Sequence, residues 1–120
     1  MADPVTNEKD YEVRKGDVFL SLTIGEGQTG TSDVFIGDKK IVRVTGSIGK
    51  LLLGKGSDIA GKALVVRSVV NDVNSDTNKM TVTYKLKGGA KGLVFTSKGS
   101  VDAEGAVLFF EATVNMTDSE

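Results

Sequence analysis

The sequence predicts an all-β fold, an antiparallel two-sheet β-sandwich of about eight strands, with a closed β-barrel as the alternative. Three observations carry this expectation. Apolar residues alternate with polar ones along several segments, which is the period of a strand with one buried face. The segments between them are short, rich in β-branched residues and bounded by Gly, Asn, Asp and Ser, which favour turns. No stretch carries the apolar stripe of an amphipathic helix.

Residues 1–10, MADPVTNEKD, are polar and acidic and are expected to form a flexible N-terminal tail. A single domain is expected over residues 11–116. In DVFLSLTI, Val18, Leu20, Leu22 and Ile24 share one face, and Phe19, Ser21 and Thr23 the other. DVFI (33–36), KIVRVT (40–45) and IGKLLL (48–53) follow as strands rich in branched residues. One short helical turn is predicted around Ser57–Ala60, with Ser57 or Asp58 as its cap. In ALVVRSVVNDV (63–73), the pairs Val65-Val66 and Val69-Val70 break the alternation, as in a strand covered on both faces or one carrying a bulge.

KMTVTYKLK (79–87) alternates cleanly, with Met80, Val82, Tyr84 and Leu86 on the core side. LVFTS (93–97) is the next strand. The last places Leu108, Phe110, Ala112, Val114 and Met116 on one face, leaving residues 117–120 as a C-terminal tail.

Composition narrows the chemistry. The 120 residues, 39% hydrophobic and 26% charged, suit one globular domain with its own core. There is no Cys and no His, so the usual general base, the thiolate nucleophile and the commonest metal ligands are missing. No sequence spacing points to a catalytic carboxylate pair, and an enzyme is not expected. With no Trp, sugar recognition would rest on Tyr11 and Tyr84. Net charge is −1, so no global field draws the chain to nucleic acid or an anionic membrane. No apolar run reaches the roughly 18 residues of a membrane span. Residues 1–10 also lack the basic and apolar regions of a signal peptide. The all-β build nonetheless favours an extracytoplasmic setting over a cytoplasmic one.

Two loops resemble ligand sites. Gly25, Gly27 and Gly30 form G-x-G-x-x-G after an apolar run, but a dinucleotide loop must open a helix, and a strand-like segment follows here. A long flexible connection between strands is expected instead. In NDVNSDTN, Asp72, Asn74, Asp76 and Asn78 recur at every second residue, the spacing with which alternate oxygens converge on calcium. An EF-hand register is excluded, because Thr77 and Thr83 fall where Gly and Glu are required. The choice is between a hairpin turn and a looser calcium site completed by Asp33, Asp58 or Asp102.

Five lysines and no acid lie between Lys79 and Lys98. Lys85 and Lys87 alternate with core residues and read as the wet side of a strand. Phe19 and Phe109 stand opposite their strands' apolar faces, over a second small cluster, along a ligand groove or at a partner interface. Taken together, these features predict a non-catalytic structural or protein-interaction domain, through a protein partner or self-association. The alternative is a small-ligand or glycan-binding domain, calcium-assisted through residues 71–78. No other cofactor is expected.

Overall fold

The computed structural model describes residues 4–103 and 105–118. Nine strands and one helical turn follow in order: β1 (Val5–Val13), β2 (Asp17–Ile24), β3 (Thr29–Ile36), β4 (Lys39–Thr45), β5 (Ile48–Lys55), α1 (Gly56–Ile59), β6 (Ala63–Asn71), β7 (Lys79–Lys87), β8 (Leu93–Ser100) and β9 (Val107–Asp118). They form a five-stranded sheet, β1-β9-β6-β3-β4, and a four-stranded sheet, β5-β2-β7-β8. Neither sheet closes on itself, so the sandwich stands and the barrel does not.

The alternating apolar sets meet between the sheets. Val18, Leu20 and Leu22 of β2 and Met80, Val82, Tyr84 and Leu86 of β7 are buried against Leu64, Val66 and Val70 of β6 and Leu108 to Met116 of β9. The Tyr84 and Phe95 rings stack at 4.7 Å. Of the buried serines, Ser32 of β3 and Ser68 of β6 are opposite each other in the ladder. Their hydroxyls bond at 2.7 Å, which removes the cost of burying either one alone.

The expected N-terminal tail is corrected. Residues 5–10 belong to β1, which pairs with β9 over Val5↔Phe110 to Val13↔Asp118, and the pairing is parallel rather than antiparallel. Residues 117–118 likewise continue β9; residues 1–3, 119 and 120 of the expected tails lie outside the described residues. The physical reason is that β1 lies at the sandwich's margin, where inward positions tolerate polar groups. Tyr11 and Val13 enter the core, but Asn7 reaches Ser97 Oγ at 3.4 Å and Lys9 lies 5.9 Å from the Phe95 ring.

Two smaller expectations change. β6 carries no bulge: its ladders to β3 and β9 are regular throughout. Val65 and Val69 face outward and are half-buried, because β6 is the middle strand of five and its outer neighbours shield them. The helical turn forms where expected, but Lys55 precedes it without a side-chain cap, and neither Ser57 nor Asp58 serves as one.

Candidate functional site

The outer face of the five-stranded sheet carries the most developed surface feature. Strand alternation and register place one residue from each of four strands in a row: Glu111 of β9, Arg67 of β6, Asp33 of β3 and Arg43 of β4. Their charges alternate in sign. Arg67 Nε donates to Glu111 Oε2 at 2.9 Å. Arg43 grips Asp33 with two bonds, Nε to Oδ1 at 2.7 Å and Nη2 to Oδ2 at 3.1 Å. This paired geometry is the strong form of an arginine–carboxylate contact. The bonds from Arg43 hold the Asp33 carboxyl below the ordinary carboxylate value, with Lys40 adding to the effect. Arg43 is raised in return. The Arg67 guanidinium also lies 5.3 Å from the Phe35 ring, so three contacts fix the row in place.

The next row toward the start of β9 is less polar. It runs Phe109, Val69, Thr31 and Thr45 across the same four strands, and Thr31 and Thr45 approach each other at 3.4 Å through their hydroxyls. The charged row, together with Phe109, Val69, Thr31 and Pro4, lines a shallow groove of about 490 Å³. Phe109 is 41% exposed in it. A large, partly exposed aromatic thus stands beside the fixed charges of the neighbouring row.

Phe19, the other expected interface residue, is on the opposite side of the molecule. It lies on the outer face of the four-stranded sheet, half-buried, with Lys50 Nζ 4.3 Å from its ring centre. The two phenylalanines therefore form no common patch.

The 71–78 loop turns at the end of the sandwich where β3 and β9 begin, since Asn71 pairs with both Thr29 and Val107. Its four candidate ligands divide. Asp72 is buried, and neither carboxylate oxygen has a hydrogen-bond partner among the described residues; its backbone is held by Ala106 and Gly105. Asn74 is engaged within the protein: Oδ1 accepts from Asp76 N at 3.0 Å, and Nδ2 donates to Glu26 O at 2.8 Å. The Asp76 and Asn78 side chains face solvent. Among the described residues no three carboxylates gather into a metal-binding group. Asp33 is committed to Arg43 on the sheet face, and Asp58 lies on α1, which joins the opposite ends of β5 and β6. Only Asp102 lies near this loop, in the turn after β8, whose Ser100 pairs with Lys79.

The three motif glycines have structural roles. Glu26 and Gly27 adopt φ of 60° and 69°, a tight turn closed by Gln28 N to Gly25 O at 3.2 Å. A side chain at Gly25 would strike the Thr81 hydroxyl, and one at Gly30 the Val69 carbonyl. The loop is thus short and packed rather than long and flexible, and it leads into β3 instead of a helix.

The alternating charged row escaped sequence reasoning because its members are distant in the chain and meet only through β-register. Arg67 alone gave a signal, as a charge inside the apolar run ALVVRSVV. No protein-family model matches this chain, and neither a curated protein nor a solved structure matches it.

Proposed function

We propose that this protein is a non-catalytic structural domain that associates with a second copy of itself through the outer face of its five-stranded sheet. The observation that carries the reading is the row Glu111, Arg67, Asp33, Arg43. An alternating row of four charges is self-complementary. A two-fold axis running along the strands, between two such faces, reverses the row and sets each charge opposite its counter-charge. Glu111 then faces Arg43 of the second copy, and Arg67 faces Asp33. Phe109 and Val69 come to lie over the threonine methyls of the adjacent row. Sheets packed this way lie about 10 Å apart and nearly aligned.

Apolar burial around Phe109 supplies the affinity in this reading, and the charges set register, since interfacial ion pairs act mainly on specificity. The fixed geometry of the two arginines lowers the ordering cost of association. The absence of His and Cys from the sequence supports binding over acid–base or nucleophilic chemistry.

Light scattering coupled to size-exclusion chromatography over a range of concentrations tests the reading. A dimer is expected. Arg67→Glu places two carboxylate pairs in opposition and should give a monomer. Adding Asp33→Arg to that variant makes the row complementary again under the same axis, and the dimer should return. A wild-type monomer at all concentrations, or a dimer indifferent to Arg67→Glu, refutes it.

A second reading, a calcium-assisted ligand-binding domain, is favoured by one observation, the buried Asp72 carboxyl with both oxygens unpartnered. Hard cations take such oxygens as ligands.

A further inference from the structure

The lysines between residues 79 and 98 do more than keep one strand wet. β-register gathers them with lysines from a second region of the chain. On the outer face of the four-stranded sheet, Lys79, Lys85 and Lys87 of β7 stand beside Lys98 of β8 on one side. β2 lies on the other side, followed by β5 with Lys50 and Lys55. All six are exposed. Among the described residues of these four strands, the only acid that alternation places on this face is Asp17, opposite Lys55. None of the six lysines forms an ion pair with a described residue. A chain of net charge −1 therefore carries a strongly positive face, and the compensating acids lie elsewhere, Glu8, Asp10 and Glu12 of β1 among them.

The same face exposes aliphatic side chains. Leu52 is 51% and Val94 58% exposed. Leu52 pairs with Phe19 across β5 and β2, and Val94 pairs with Lys85 across β8 and β7, so both stand among the lysines. Lys50 lies across the Phe19 ring. Lysine heads on flexible stems with apolar groups between them suit a planar anionic interface, where the heads meet headgroups and the aliphatics enter the boundary layer. A polyanionic chain such as a nucleic acid or sulfated glycan would use the lysines and leave Leu52 and Val94 unpaired in water. Lysine, a compact charge without the planar fork of arginine, also favours diffuse headgroup attraction over recognition of one phosphate.

We propose that the outer face of the four-stranded sheet binds an anionic phospholipid surface. The proposal is independent of self-association, which uses the opposite face, and it needs no membrane-crossing segment.

Co-sedimentation with phosphatidylcholine vesicles, with and without one third phosphatidylserine, tests it. Binding is expected to the anionic vesicles alone and to weaken steeply with salt. Lys85→Glu with Lys87→Glu should reduce it about tenfold or more. Leu52→Ser with Val94→Ser should lower the fraction that resists salt. Lys39→Glu with Lys62→Glu, outside both proposed faces, should leave it unchanged. Circular dichroism of each variant confirms that it is folded. The proposal fails if the protein does not pellet with phosphatidylserine vesicles, if it pellets equally with both vesicle types, or if it is retained by heparin and not by vesicles.

Discussion

Gln28 and Asn74 tie two distant turns together by reciprocal bonds. Gln28 Oε1 accepts from the backbone N of Asn74 at 3.0 Å and from Val73 N at 2.8 Å. The Asn74 amide returns a bond to the Glu26 carbonyl. Gln28 Nε2 completes the tie by donating to the carbonyls of Thr77 and Lys79. One buried amide thus satisfies three backbone groups of the 71–78 loop and the Lys79 carbonyl at the start of β7, using both of its donors and both acceptor sites.

Removing that amide should therefore destabilise the whole end of the sandwich. Gln28→Ala is expected to cost about 2–4 kcal/mol in denaturant unfolding, since it leaves several part-buried backbone groups without partners. Gln28→Glu should also be destabilising, because a carboxylate can receive from Val73 and Asn74 but cannot donate to Thr77 and Lys79. Hydrogen exchange should show the loss concentrated in the turns at 25–28 and 72–78.

Asp72 makes the opposite prediction. Its carboxyl is buried without a partner among the described residues, an arrangement that costs folding free energy. Asp72→Asn, of the same shape, should raise stability by about 1–2 kcal/mol in chelator. A melting temperature raised by calcium in the wild type, and unmoved in the variant, would assign the carboxyl to a cation and favour the second reading. A melting temperature identical in calcium and chelator would remove it.

Tyr84 governs the alkaline limit. Burial pushes its phenol up to about 12, with the neighbouring Ser97 pulling the other way. Tyr84 Oη nevertheless lacks a hydrogen bond of good geometry, so the burial effect is the one that decides. A phenol that ionises more readily unfolded than folded leaves stability intact below its ordinary value near 10 and erodes it as pH climbs toward 12. The loss amounts to about 3 kcal/mol across that window. Tyr84→Phe should flatten this decline while retaining the stack on Phe95. Unfolding midpoints measured from pH 9 to 12 give the comparison.

The Asp33–Arg43 pair predicts a local titration. Ionised Asp33 is favoured by its two bonds from Arg43, so the pair's contribution is present above the ordinary carboxylate range and fades as pH falls through the lowered value. Arg43→Gln should return the Asp33 carboxyl toward its ordinary value by carbon-detected NMR. Both groups lie on the surface, so the fold should keep its stability.

Most of the strand set was legible because one face of each strand is buried, and burial writes a period of two into the chain. β7 is the clearest case: every second residue from Met80 to Leu86 is in the core. β1 was illegible for the converse reason. At the margin of the sandwich, Asn7 and Lys9 occupy inward positions without being enclosed, so VTNEKDYEV shows no apolar alternation until Tyr11. The candidate surfaces were harder still. Asp33 and Glu111 are 78 positions apart in the chain, and only strand order brings them into one row. Lys50 and Lys85 join one face for the same reason. Local pattern reports which way a side chain points; it carries no record of which strand lies next to it.

The parallel pairing of β1 with β9 has a mechanical meaning. Val5 lies beside Phe110 and Val13 beside Asp118, so the first strand starts at one end of the molecule and the last strand stops at the other. Tension applied between these two ends would slide the strands past each other along their length. The whole β1–β9 ladder would resist at once, instead of peeling open one bond at a time. A domain wired this way is braced for tensile load, and single-molecule pulling through its two termini should meet far greater resistance than pulling across the β3–β4 hairpin, which unzips.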